Sequence, residues 1–367
     1  MDSLTQIALG GAVGYAVMGK QLGRKAVLYG AALGTLPDLD VFLPYGGEVQ
    51  AFTYHRGFSH SFIVHLLLSP LFAWLFHHFY QGRYLFNDSG PTPKQNTAEY
   101  ASQYSNKSMI LRWSCFVFLT LSTHALIDSF TVYGTQLMWP LTEYPVGISN
   151  LFIIDPLYTL PLLITLGFVL FAKLPSKRTI SVNLLGLVLS SLYVAWSLAA
   201  KVAIDNKIEI ALKDKNIQAS AYESTPAPLT TLLWRAVAVT DDAYYEIYAS
   251  VFDSSEEVSF YAYPSKTSLL NSIENEWEVE RLQWFTKGLY SVSQNGDDVV
   301  LSDLRMGAEC FYVFNFNVGR IEEGKVELGD MQKTTKRPDP SALGRLWDRI
   351  WDPAVSLAPE QDCRKAD

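Results

Sequence analysis

The sequence predicts a multi-pass α-helical membrane bundle of about six helices, followed by a small soluble α+β domain. Two observations carry this prediction. Long apolar stretches fill the chain up to Ala203, whereas beyond Asp205 it becomes mixed and acid-rich, with Glu274, Glu276, Glu278 and Glu280 in one run. Lysine and arginine also fall between alternate pairs of those stretches. The overall mean hydropathy of +0.09 averages two unlike halves.

A helix needs about 20 mainly apolar residues to cross the hydrocarbon core of a bilayer. Phe58 to Tyr80, Met109 to Phe130, Leu151 to Ala172 and Ser181 to Ala203 meet that length. Leu4 to Met18 and Ala26 to Leu43 are shorter or richer in small residues. Gly10, Gly11, Gly14, Gly30 and Gly34 suit them to close packing inside a bundle. They are expected to span the membrane or nearly so.

Orientation follows from the basic residues. Lys20, Arg24 and Lys25 separate the first two stretches; Arg83, Lys94, Lys107 and Arg112 the third and fourth; Lys173, Lys177 and Arg178 the fifth and sixth. In the opposite loops, Arg56 is the one exception. The alternation places the N-terminus, the loops near 44–57 and 131–150, and everything after Ala203 on the outer side. Met1-Asp2-Ser3 has no basic leader, so the start does not read as a cleaved signal peptide.

The organisation expected is therefore a membrane-embedded domain over 1–203, a soluble extracytoplasmic α+β domain over 204–323, and a loosely ordered tail over 324–367. In the soluble part, Asp205 to Lys215 reads as continuing helix, and strands flank Asp241-Asp242. Leu269, Leu270, Ile273, Trp277 and Trp284 recur at helical spacing, Asn295-Gly296 marks a hairpin, and Phe311 to Phe316 reads as a strand. Three cysteines are too few for a disulfide framework; Cys115 lies in an apolar run, and a Cys310–Cys363 bridge requires an oxidising compartment. The net charge of −8, with no clustered basic face, argues against a nucleic-acid partner.

All six histidines precede residue 125, and several stand beside aspartates at helix ends. Pro37-Asp38-Leu39-Asp40 closes the second stretch; His55-Arg56-Gly57-Phe58-Ser59-His60-Ser61 opens the third; His124-Ala125-Leu126-Ile127-Asp128 ends the fourth; Asp155-Pro156 starts the fifth. All four groups fall at the outer face, although the topology was read from Lys and Arg alone. His124 and Asp128, four apart, project from one helix face and can grip one ion. Imidazole with carboxylate suits zinc, with manganese as the alternative.

Asp38, Asp40, His55, His60, His124, Asp128 and Asp155 are thus the candidate metal ligands. They exceed the needs of one zinc, which points to two ions or to one ion with aspartates orienting the histidines. Ionisable side chains inside membrane helices are costly and mark function. Asp38 and Asp40 taken alone also read as helix-end turn residues, and Asp155 as a plain helix cap. His65 reads as packing, and His77 and His78 as interfacial. Arg56 is the candidate for holding a phosphate or carboxylate, with an ion pair to an aspartate as its simpler role. Gly57 to Ser61 lacks the last glycine of a nucleophile elbow, and neither HExxH nor a P-loop occurs.

Leu36-Pro37-Asp38-Leu39-Asp40, His55-Arg56-Gly57-x-Ser59-His60-Ser61 and His124-x-x-x-Asp128 resemble a bacterial family of inner-membrane proteins, described as membrane-bound metal-dependent hydrolases and as LexA-binding. The likeness covers roughly the first 170 residues; Tyr133-Gly134-Thr135-Gln136 and the Pro140 loop look like a longer branch with an extra C-terminal domain. It implies the bacterial inner membrane and a metal-activated water attacking an ester or phosphoester, with a lipid or lipid-linked substrate suggested by depth. Asp40, Arg56 and Asp128 are the candidate catalytic residues. The competing reading is a non-enzymatic metal-binding membrane protein, a transporter or sensor. A transport pathway needs polar residues reaching the other face, and Cys115, Phe116 and Phe118 supply none.

Overall fold

The computed structural model describes residues 1–85, 106–172, 175–335 and 342–359. Expectations placed on Lys94, Lys173 and Cys363 fall outside the described residues. The N-terminal half is helical: α1 (Ser3–Leu22), α2 (Lys25–Thr35), α3 (Glu48–Tyr54), α4 (Phe62–Leu85), α5 (Asn106–Ser129), α6 (Pro156–Phe171) and α7 (Lys177–Asp214). Two 3₁₀ turns, Pro37–Phe42 and Phe58–His60, lie between them.

Glycine lets α1 and α2 touch backbone to backbone. A Cβ on Gly30 would stand 2.2 Å from the Gly10 carbonyl oxygen, and one on Gly34 2.7 Å from that of Gln6. Gly30→Val must therefore push the two helices apart. It is expected to cost about 1–3 kcal/mol and to lower the melting temperature in detergent; unchanged melting would show that the helices do not meet there.

The sequence predicts about six membrane-crossing helices, and the structure corrects that number. Among the described residues, two helical segments are long and apolar enough to cross a membrane, Ser108–Ser129 and Lys177–Asp214, or three if α3 and α4 count as one span bent by 52°. Hydropathy counts residues, whereas a membrane is measured in rise. At 1.5 Å per residue, α2 covers about 16 Å and α6 about 24 Å of a core about 30 Å thick. Nor is α3 an apolar extension of α4, because Val49 and Phe52 pack into the core of the second β-sheet.

Two ends of the bundle are distinguishable. At one, Arg24 Nε donates to the Ala172 carbonyl (3.1 Å), joining the α1–α2 turn to the end of α6. At the other, the Asp2 amide donates to the Ile153 carbonyl (3.0 Å), joining the start of α1 to the segment before α6.

The C-terminal part is built of β-sheet. An antiparallel sheet has the order β1 (Ala221–Pro226), β2 (Leu233–Val239), β3 (Ala243–Ser250), β4 (Ser259–Pro264). A second has the order β5 (Tyr290–Asn295), β6 (Asp298–Asp303), β7 (Asn315–Glu322), β8 (Lys325–Leu328), with β9 (Lys333–Thr334) also on β7. Helix α7 passes Ala203 without a break. Its Ala200, Ile204, Ile208 and Ala211 pack beneath the first sheet with Trp234 and Ile247. The second sheet buries Leu301, Phe316 and Val318 with Val279, Leu282 and Phe285 of α8 (Trp277–Phe285).

The hairpin falls at Asn295-Gly296, where Gly296 takes φ +57° and Asn295 pairs with Asp298. Three local expectations are corrected. Residues 269–284 are not one helix but a 3₁₀ turn, Thr267–Leu270, and the separate α8. The strand expected from Phe311 begins only at Asn315, because the Phe311 and Val313 amides bond back to Ala308 and Met306 around Gly307 (φ +107°). The stretch after Gly324, expected to be loose, carries β8, β9 and α9 (Ala342–Trp351).

The halves are docked together. Arg305 Nη1 donates to the Tyr133 carbonyl (3.0 Å), Arg281 pairs with Glu143 (2.9 Å), and Lys333 with Glu48 (3.0 Å). Between the halves lies a cavity of about 1070 Å³, whose wall includes Val41, His55, Arg56, Tyr133, Ile153 and Phe314.

Candidate metal centre

Four side chains converge at the bundle end that carries Asp2 and Ile153. Asp38 comes from the turn after α2, His60 from the turn before α4, and His124 and Asp128 from successive turns of α5. One ligand atom from each lies within 4.8 Å of all the others. His60 Nε2 and His124 Nε2 are 3.1 Å apart. Asp38 Oδ1 stands 3.5 and 3.4 Å from them, and Asp128 Oδ2 3.3 and 3.6 Å. A tetrahedral ion roughly 2.0–2.1 Å from its donors holds them about 3.3 Å apart. Five of the six edges therefore have the dimensions of a zinc coordination shell.

Hydrogen bonding decides which ring nitrogens face inward. His124 Nδ1 lies 2.6 Å from the Gly34 carbonyl, which only accepts, so Nδ1 carries the proton and Nε2 a lone pair. Ser59 donates its hydroxyl to Asp40 Oδ2 (2.6 Å), leaving its oxygen to accept from His60 Nδ1 (2.9 Å). In the neutral ring His60 Nε2 then carries a lone pair too. Two buried lone pairs 3.1 Å apart repel each other unless a proton or a metal cation lies between them. Asp128 Oδ2, fully buried, accepts no hydrogen bond, although Arg56 Nε is 3.2 Å away. The donor set and its orphaned oxygen fit a divalent cation.

The rest of Asp128 is tied down: Oδ1 accepts from Gln6 Nε2 (2.9 Å) and the Met1 α-amino group. Gln6 and Ser59 were not among the sequence candidates. Gln6 had a readable signal, an uncharged polar residue on a small-residue helix face; Ser59 had none beyond its place between two histidines.

Asp40 and His55 do not join the converging atoms. Asp40 is buried, and its carboxylate takes His55 Nδ1 (2.8 Å), the Ser59 hydroxyl and the Arg56 amide (3.0 Å). Burial pushes the Asp40 carboxyl up, but the His55 hydrogen bond and charge outweigh it and hold the carboxyl below its usual range. Arg56 adopts φ +62°, a strained conformation for a non-glycine residue, which aims its amide at Asp40. Its guanidinium donates to Thr131 Oγ1 (3.2 Å) and lies over the Tyr133 ring (5.1 Å). Burial raises the Tyr133 phenol, which stays protonated and donates to the Phe52 carbonyl (2.6 Å).

Asp155, a sequence candidate for metal ligation, lies elsewhere. It caps α6, accepting from the Leu157 and Tyr158 amides, and takes the Tyr193 hydroxyl (3.0 Å). The need of a buried helix start for acceptors explains the residue. His65 is likewise occupied, its Nε2 bonding the Ser59 carbonyl (2.8 Å).

His55, Arg56, Thr131 and Tyr133 form both the rim of the cluster and part of the cavity wall. The four converging residues therefore lie one side chain away from a space large enough for a sizeable ligand.

Cys115 is free, whereas Cys310, on the cavity wall, is disulfide-bonded. Comparison with curated proteins and with solved structures yields no match. The family model of the YdjM inner membrane protein matches residues 1–204, more than half of the 367 residues and the whole of the cluster, so this chain belongs to the YdjM family of bacterial inner-membrane proteins.

Proposed function

We propose that the protein is a membrane-bound, metal-dependent hydrolase of ester or phosphoester bonds in lipid or lipid-linked substrates. The observation that carries this reading is the pair of inward imidazole lone pairs joined by an orphaned carboxylate oxygen, one side chain from a large cavity. Asp38, His60, His124 and Asp128 would hold the ion, zinc or manganese. When bound, such an ion polarises the oxygen under attack and lowers the pKa of a water.

His55 is the residue to take the proton. It lines the cavity and is oriented by Asp40, the arrangement that makes an imidazole a general base. Asp40 thus acts through His55 and does not ligate the ion. Arg56 offers its guanidinium to a phosphate or developing oxyanion while holding Asp128 in place.

A lipid-like substrate is favoured by the cavity's edge. Val41, Ile153, Pro228 and Leu346 line it, and their neighbours Phe42, Ile154, Leu229 and Trp347 are exposed. An acyl chain can pass from bilayer to cavity without crossing water. The extracytoplasmic location of the β-sheet part is supported by the alternation of Lys and Arg and by the bonded Cys310.

Four protein donors would complete the shell of a tetrahedral zinc, which favours a second reading, a non-enzymatic metal-binding protein. His55→Ala separates the two. With phosphoester and ester lipids in mixed micelles, the hydrolase reading expects full metal content and turnover reduced about 10²–10⁴-fold. Metal bound in the wild type, with no turnover of any lipid in either protein, would establish the non-enzymatic reading.

A further inference from the structure

Helix α9 exposes a stripe that the hydrolase reading does not use. Leu343, Trp347 and Trp351 recur every four residues on one face, with the tryptophans 59% and 57% exposed. Phe252, 60% exposed, stacks on Trp351 at 5.1 Å. The opposite face is anchored. Leu346 and Ile350 pack on Ala227 and Leu233, and Arg349, fully buried, bonds Asp253 (2.8 Å) and the Glu257 carbonyl (3.1 Å). The aromatic face is therefore held outward by a fixed helix.

Its position identifies what it meets. The β1–β2 turn beneath α9 is tied to α7 through Thr231, whose hydroxyl takes Trp196 Nε1 (3.1 Å) and pairs with Tyr193 (3.1 Å). Tyr193 also bonds Asp155, at the start of α6. Below that level α7 presents Leu185, Val188 and Leu192 outward, the lipid-facing side of a helix long and apolar enough to span. Trp196 and Leu229, both exposed, continue that stripe to Phe252, Trp347 and Trp351. Tryptophan settles at headgroup depth, where its ring is apolar and its N–H wet.

We infer that α9, with Phe252 and Leu229, is an interfacial helix that seats the β-sheet part on the outer surface of the bilayer beside α7. The contact is apolar: Leu343, Trp347 and Trp351 form it, and among the described residues of α9 the charges beside them are the exposed Asp348 and the half-buried Arg345. This inference stands whether or not the metal centre is catalytic.

The test uses the full chain in nanodiscs of phosphatidylethanolamine and phosphatidylglycerol. Spin labels go on Trp347→Cys and Trp351→Cys in a Cys115→Ser background, with Glu323→Cys in the β7–β8 turn as the aqueous reference. Collisions with oxygen, which concentrates in lipid, are compared with those of a water-soluble nickel chelate. At 347 and 351 the oxygen-to-nickel ratio is expected to exceed that at 323 by about threefold or more, as for a helix buried roughly 5–10 Å into the headgroup boundary. Nickel-dominated collisions at both positions would overturn the inference in favour of a water-facing patch. Exclusion of both reagents would overturn it in favour of a protein partner. A readout that keeps the cysteines native is quenching by brominated phospholipid: Trp347→Phe/Trp351→Phe should lose quenchable emission, and no loss would also overturn the inference.

Discussion

A His60→Ala/His124→Ala protein is expected to purify without metal, beside a wild type carrying about one equivalent of zinc or manganese. Loss of a single residue that orients a ligand typically weakens binding 10–100-fold, and removal of two of four ligands should exceed that, leaving the ion below detection by elemental analysis. The same variant relieves the repulsion of the facing imidazoles, so chelator should no longer lower its melting temperature, whereas the wild type should melt lower after chelation. Equal metal content in the two proteins would remove Asp38, His60, His124 and Asp128 as the binding site. Absence of metal from both would leave only a buried polar cluster.

The second large effect lies across the cavity. Arg235 on β2 lies diagonal to Glu246 on β3, their direct register partners being Tyr248 and Val237, and both are buried. Glu246 Oε1 receives Arg235 Nη2 (2.5 Å), Arg235 Nε (3.2 Å), the Tyr312 hydroxyl (2.7 Å) and the Glu309 amide (2.9 Å). Arg235→Leu strands the carboxylate and should cost about 3–5 kcal/mol, read by chemical or thermal unfolding in detergent. Adding Glu246→Gln keeps acceptors for Tyr312 and Glu309 and removes the uncompensated charge, so the double variant should recover most of the loss. If the double variant is as unstable as the single one, packing and not charge holds this wall.

The legible part of the site was the part governed by periodicity. His124 and Asp128 are four apart on α5, and a helix of that pitch can only bring them together. Asp38 and Asp40 sit in a 3₁₀ turn, where side-chain direction does not follow the helical period; Asp38 turns to the cluster and Asp40 to His55. Treating the two aspartates alike was therefore the natural error. Asp155 stands apart from the cluster, where the Asp-Pro pair meets the local demand of a helix start, the simpler of its two sequence readings.

Helix existence was legible and span count was not. Apolar content shows that a helix is buried, but not whether lipid or protein buries it; α1 and α2 bury their glycines against each other. In the tail, Leu343, Leu346, Trp347, Ile350 and Trp351 carry helical spacing, masked by the Pro, Lys and Asp around them. The docking of Phe52 into the second sheet had no local signal, since it depends on residues more than two hundred positions away.

Helix α7 runs 38 residues without interruption, which at 1.5 Å per residue is a rod of about 57 Å. Its first half belongs to the bundle and its last turns to the first sheet, with no joint between them. A lever without a joint cannot swing. The first sheet must therefore tilt and turn as one piece with α7, and the cavity between the halves cannot open by swinging that sheet away from the bundle.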